Sequence, residues 1–448
     1  MTDTERSPED MLQDVLKACK KAGASDADVR LSKSNSESVS VREGALELVE
    51  RDEDAGLALR CFFGRQQASV SGSDLSPDGL NTLVERCISM AKMAPEDPYA
   101  GITSQDELAS DIPHFDLVGD TDHSFERMKS DALEAEAAAL NIKGVKQVSS
   151  CGASWALSER WLAASNGFHT YKTSGMSSLG LTVLAEQDGA MERDYASRAS
   201  RYRAHRLAPQ EIGKLAAERT LQRLGATKVE SQTAAVIYDK RVSTRLLNTF
   251  MNAISGPAIA RGVSYLKDEL GSEVFASNVN IVDDPFREHG HGTRGHDGEG
   301  RSVSKKNLIA NGVLTQWLLN GPSARQLGLE PNGFGGIAFG NPPGISTSNV
   351  HIEAGEQSPE DLMRQSGKGL IVTDMFGPSI NANSGDYSVG VSGVWYENGA
   401  KSHAVSEVTI AGNLKDMFAQ LIPANDLEFL GARNAPSLFI ESMTIAGA

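Results

Sequence analysis

Apolar residues recur at helical spacing in five places along the chain and alternate with polar residues through most of the remainder. At the start, Ser7-Pro8-Glu9-Asp10 offers a capping hydroxyl, a proline for the first helical position and a carboxylate three residues on. Met11, Leu12, Val15, Leu16 and Cys19 then share one face, and Gly23 closes the predicted helix. Residues 28–72 alternate with turn residues between them, which predicts three or four antiparallel strands. Ser76-Pro77 opens a second helix with Leu80, Leu83, Val84, Cys87, Ile88 and Ala91 on its buried stripe, and Pro95 stops it.

The same order then returns. A helix is predicted from about Ser124 to Leu140, strands from Val145 to Tyr202, and a helix from near Pro209, so the pattern suggests a loose internal duplication. Asn166-Gly167 and Asp188-Gly189 mark tight turns within the second strand group. ATKVESQT, residues 226–233, reads as a linker. Beyond it come a strand AAVIYD, a helix carrying Val242, Leu246, Leu247 and Phe250 that Gly256-Pro257 should end, and then mostly strands, with hairpins at Asn311-Gly312 and Asn398-Gly399. The expected class is α+β. Residues 1–230 form a domain of antiparallel sheets flanked by helices, and residues 231–448 a mostly antiparallel β domain.

A chain of 448 residues is too long for one ordinary core, which agrees with two domains. It has no apolar run that could span a membrane, and its start lacks a secretory signal, so cytoplasmic residence without a membrane partner is expected. A net charge of −16 argues against direct nucleic-acid binding, which relies on clustered Lys and Arg. The one basic run, RASRYRAHR at 198–206, fits a solvated strand edge or one side of a subunit contact. Cys19, Cys61, Cys87 and Cys151 lack C-x-x-C spacing and read as reduced core residues.

Candidate chemistry concentrates in REHGHGTRGHDGEG, residues 287–300, which sets His289, His291 and His296 with Asp297 among glycines. His291, His296 and Asp297 could converge on a metal and make an independent metallohydrolase. Against this, no His-Glu-x-x-His or His-Glu-x-x-x-His occurs, and a glycine-dense loop gives imidazoles no fixed geometry. Ser392 in GVSGV lies inside a β pattern and does not form a nucleophile elbow. The glycine-rich stretch 332–344 has no Walker lysine and reads as an extended loop beside a cleft. Asp386 in NSGDYSVG marks either a hairpin entry or a place where backbone approaches a bound peptide.

NSGDYSVGVSGVWYENGAKSHAVSEVTIAGNLKDMF, at 383–418, closely resembles the late segment of the PmbA (TldE) branch of the TldD/PmbA metallopeptidase family. VDDP, HDGEG, GVLTQWLLNGPSARQLGL, NGFGG and SNGFHTY fit the same family, so the resemblance extends over essentially the whole chain. It implies a zinc peptidase partner of TldD type, which carries His-Glu-x-x-x-His on a helix of its second domain and a cysteine ligand near its C-terminus. The comparable helix here reads RLLNTFMNAIS, with Asn248 and Ala253 at the two histidine positions and Thr249 at the glutamate; LEFLGARNAPSLFIES contains no cysteine. The resemblance therefore implies a subunit with no catalytic, cofactor or metal residue of its own. It would act on unfolded or small peptides only with its partner; relatives are linked to microcin maturation and antitoxin turnover, and an older name calls them modulators of DNA gyrase, a connection that the negative charge of this chain makes indirect. A non-enzymatic scaffold or regulator is the remaining alternative, and self-association of the isolated chain is left open.

Overall fold

The computed structural model describes residues 7–336, 339–342 and 344–447. Helix α1 (Pro8–Lys21) begins where Ser7 Oγ accepts the Asp10 N–H at 3.1 Å, and it buries Leu12, Val15, Leu16 and Cys19. Three antiparallel strands follow, β1 (Asp26–Arg42), β2 (Ala45–Phe63) and β3 (Gln66–Gly72), and then helix α2 (Pro77–Met93). The unit recurs as α3 (Phe125–Leu140), β4 (Val145–Ala164), β5 (His169–Gln187), β6 (Ala190–Ser200) and α4 (Pro209–Leu221). Antiparallel pairing of β1 with β4 joins the two units, giving one sheet in the order β3-β2-β1-β4-β5-β6. The repeat suggested by the residue pattern is thus a single continuous sheet.

Alternation sorts the two faces of that sheet. Odd positions of β1, β2 and β4, among them Val29, Leu31, Leu57, Leu59, Trp161 and Ala163, pack against α1 and α2. Val39, Val41, Ala153, Leu179, Leu181 and Val183 continue the same face beneath α3 and α4. The even positions point the other way, and they include Asp28, Arg30, Arg60, Arg160 and Lys172.

The second half begins with β7 (Gln232–Tyr238) and α5 (Lys240–Ala253). Helix α5 ends at Ala253, just ahead of the Gly256-Pro257 pair expected to end it, but Pro257 also opens a new helix. It sits in the first turn of a separate short helix, α6 (Gly256–Ala260), where its missing N–H costs nothing. Next in the chain are β8 (Ile281–Asp283), β9 (Lys306–Ala310), β10 (Val313–Leu314), α7 (Gly321–Leu327) and β11 (Val350–Ile352). The last strands are β12 (Gly369–Ile380), β13 (Asp386–Glu397), β14 (Ala400–Asn413), β15 (Ile422–Pro423), β16 (Arg433–Asn434) and β17 (Leu438–Ala446).

These strands form two sheets, β10-β9-β8-β11-β16 and β14-β13-β12-β7-β17-β15. A further pairing of β14 with β17 closes β7, β12, β13, β14 and β17 into a ring. Most pairs are antiparallel, as expected, but β7–β12 and β11–β16 run parallel. Those partners lie more than 80 residues apart in the chain, so no turn signal announces them. Helix α5 buries Val242, Leu246, Leu247 and Phe250 in the common core, where Phe250 meets Phe275 edge-on at 5.1 Å and Phe275 stacks on Phe418 at 4.5 Å.

Candidate functional site

The glycine-rich loop 287–300 lies against the even-numbered face of the first sheet. Its backbone carbonyls account for its order, because side chains from the first half of the chain donate to five of them. Arg201 donates to Gly290 and His291 (3.3 Å each), Lys172 Nζ to Thr293 (2.8 Å), Arg30 to Gly298 (3.4 Å) and Thr103 Oγ1 to Glu299 (2.7 Å). On its other side the loop touches residues 348–349 so closely that a Cβ at Gly292 would sit 2.2 Å from the Ser348 carbonyl oxygen. The glycines serve close approach of two backbones. Asp297 organises the end of the loop, with Oδ1 accepting the N–H groups of Glu299 and Arg301 and Oδ2 that of Gly335, each at 2.9 Å. Burial raises the pKa of both Asp297 and Glu299, and Glu299 pairs with Arg301 at 2.6 Å.

The three histidines do not converge. The His289 ring meets Tyr202 edge-on at 4.5 Å and has Nε2 3.3 Å from Glu288. His296 Nδ1 donates to the Asp297 carbonyl at 2.6 Å, while its ring lies edge-on to Phe168 at 5.2 Å. Burial lowers the pKa of His291 and His296, with Arg201 adding to the effect at His291, so both imidazoles favour the neutral form. Among the described residues, no three His, Cys, Asp or Glu side chains are grouped so as to hold a metal ion.

Between loop and sheet lies a cleft of about 750 Å³. Its cationic lining is Arg30, Arg160, Lys172 and Arg294, joined by His291 and His296; among the described residues its one carboxylate is Asp54. Arg294 is held by Ser348 Oγ (2.8 Å) and the carbonyls of Ser346 (2.9 Å) and Gly333 (3.1 Å). Among the described residues Lys172 has no carboxylate partner. Burial, and then the charges of Arg201, Arg160 and Arg294, hold its pKa down at about 8. Sequence reasoning missed these four cations. Their signal was present, since charged residues at even positions of strands whose odd positions are apolar must face something other than the helices.

Other expected features fall outside the cleft or on its rim. The basic run 198–206 is not simply a solvated edge: Arg201 is buried and also donates to the carbonyls of Leu117 (2.7 Å) and Gly175 (2.9 Å), while Arg206 pairs with Asp131 at 2.6 Å. Phe339 of the stretch 332–344 lines the cleft; residues 337, 338 and 343 lie outside the described ones. Asp386 is exposed and closes the turn into β13, accepting from Ser384 Oγ (2.6 Å) and Asn413 Nδ2 (3.1 Å). All four cysteines are buried and unbridged, and Cys19 and Cys61 bring their sulfurs to 3.4 Å.

Three family models cover most of the chain: PmbA/TldA metallopeptidase domain 1 at residues 27–91, the central domain at 120–224 and the C-terminal domain at 231–447. Metalloprotease PmbA of Escherichia coli O157:H7 is 34% identical over 95% of this chain and 93% of its own length. The chain belongs to the PmbA/TldD metallopeptidase family. A PmbA homolog of Haemophilus influenzae is 32% identical over the same shares of the two chains. Among solved structures, TldE of Thermococcus kodakarensis superposes with a TM-score of 0.85 at 18% identity, covering 98% of this chain and all of that one. A protein of Bacteroides thetaiotaomicron, solved as a candidate modulator of DNA gyrase, gives 0.89 at 23%, covering 99% of this chain and all of that one. Those two likenesses concern the fold.

Helix α5 carries Asn248, Thr249 and Ala253, which the resemblance sets against the peptidase motif of the TldD branch. Asn248 Oδ1 accepts from Arg433 Nη1 at 2.6 Å, across to β16. Thr249 Oγ1 turns back on the Arg245 carbonyl at 3.0 Å, the usual satisfaction of a threonine inside a helix. Ala253 is buried at the end of α5. None of the three side chains has the chemistry of an imidazole ligand or a general base. Among the described residues, no helix is long and apolar enough to cross a membrane.

Proposed function

We propose that this chain is the PmbA (TldE)-type subunit of a cytoplasmic TldD–PmbA peptidase, which holds unfolded or small peptides while a TldD-type partner supplies the zinc. The observation that carries this reading is helix α5. In a chain of this family, the positions aligned with the zinc motif hold an amide paired with Arg433, a hydroxyl bonded to its own helix and a buried methyl group. A subunit of this kind contributes binding rather than bond-breaking chemistry. The large cleft between the first sheet and the loop suits a peptide, and we take residues 1–230 and 231–448 as the two domains that enclose it.

The test is a pull-down and a peptidase assay with and without a TldD-type partner, together with elemental analysis. The expected result is co-purification, no stoichiometric zinc in this chain alone, and hydrolysis only in the mixture. One tightly bound zinc per chain with peptidase activity in isolation would overturn the proposal.

A further inference from the structure

The strand register around the cleft holds an electrostatic anomaly. On the helix-covered face of the first sheet, Lys33 of β1 stands directly opposite Glu159 of β4, a complementary pair. One position along, on the cleft face, Arg160 of β4 stands directly opposite Lys172 of β5. Like charges directly opposite on neighbouring strands destabilise a sheet, and among the described residues neither has an ion-pair partner, the cleft's one carboxylate being Asp54. Arg160 is exposed and forms no ion pair among the described residues. Of the three Lys172 protons, one is used on the Thr293 carbonyl. Arg294 extends the same positive field along the cleft, while Arg30 is paired with Asp28 at 3.4 Å, in a chain whose net charge is −16. Such a concentration of field within a low-dielectric wall attracts an anion.

The remaining lining narrows what the anion belongs to. Leu162 and Phe339 give the cleft apolar surface, and its volume of about 750 Å³ far exceeds that of a simple ion. It also opens on edge strand β3 at Ser71 and Gly72, and an edge strand can take backbone hydrogen bonds from an extended chain. We propose that the cleft binds the carboxylate of an extended peptide, with Arg160 and Lys172 as its direct partners. The carboxylate is either the peptide's C-terminus or an acidic side chain. This proposal deepens the peptide-holding reading above and rests on it. The partner subunit plays no part in its test, so a failure to pair with TldD would leave the result readable.

The experiment uses four labelled hexapeptides with otherwise neutral side chains: free acid or C-terminal amide, each with and without one internal glutamate. Fluorescence anisotropy at low salt measures their binding to the full chain alone. A carboxylate should tighten binding by about ten-fold or more, and the gain should shrink as salt rises. A gain that follows the free acid assigns the C-terminus; a gain that follows glutamate in the amides assigns the side chain. Arg160→Gln, at an exposed position without an ion pair among the described residues, should abolish the preference, and Arg160→Lys should retain most of it. Lys172→Met should act like Arg160→Gln. Equal binding of all four peptides, no binding of any, or an undiminished preference in Arg160→Gln would overturn the proposal.

Discussion

Loop 287–300 and helix α5 invert the relation between residue type and role. The loop is dense in histidine and carboxylate, yet its polar atoms are turned to backbone: His296 to its neighbour's carbonyl, and Asp297 to three N–H groups. The helix, on the reading proposed above, stands where a TldD-type partner carries its zinc motif, yet it carries Asn248, Thr249 and Ala253. A ligand-type side chain tells little until its partners are known, because buried polar groups are committed to whatever satisfies them. The loop's own contribution is architectural. It offers five carbonyls to cations and a hydroxyl of the first half, and so becomes the wall of a basic cleft.

Three measurements would break or sharpen this contrast. The largest effect is expected at Gly292. Gly292→Val sets a Cβ 2.2 Å from the Ser348 carbonyl oxygen, and no side-chain rotation can relieve a clash with backbone. A loss of at least about 3 kcal/mol in denaturant unfolding is expected; a variant as stable as the parent would mean that the loop is not packed between two backbones.

A second measurement follows the charge on Lys172. Its folded pKa of about 8 lies below the ordinary 10.5, because the charged form is buried facing Arg201, Arg160 and Arg294. Between these two values the unfolded chain binds more protons than the folded one, so stability rises with pH through that window. Relative to Lys172→Met, the parent chain should gain up to about 3 kcal/mol between pH 7 and 10.5. A pH-independent difference would remove the electrostatic account of the cleft.

The smallest effect belongs to the helix. Asn248→Ala breaks one partly exposed hydrogen bond to Arg433 and should cost less than about 1 kcal/mol. A cost as large as that at Gly292 would give the helix position a structural weight comparable with that of the loop.

Much of the fold was legible where local chemistry dictates it. Ser7-Pro8 and Ser76-Pro77 cap α1 and α2, and both residues of Asp188-Gly189, Asn311-Gly312 and Asn398-Gly399 take the positive φ that tight hairpins need. What stayed hidden depends on partners remote in the chain. Nothing near Arg201 in sequence indicates that its guanidinium reaches the carbonyls of Leu117, Gly175, Gly290 and His291, and so a buried clamp looked like a basic surface run. The cleft was hidden for the same reason. Arg160 and Lys172 belong to strands recognisable one by one, but their juxtaposition requires the register of β4 against β5.

The ring in the second half has a temporal consequence. Strand β7 is flanked by β12 on one side and β17 on the other, with Gln232 paired to Ile445. A ribosome adding about 5–20 residues per second leaves β7 without β17 for roughly 10–40 s after it emerges. The first sheet waits less, since β1 meets β4 by Ala164 and the last strand ends at Ser200. During synthesis one half can therefore fold while the other waits with open strand edges, and in that interval the nascent chain is most exposed to aggregation and most dependent on chaperones.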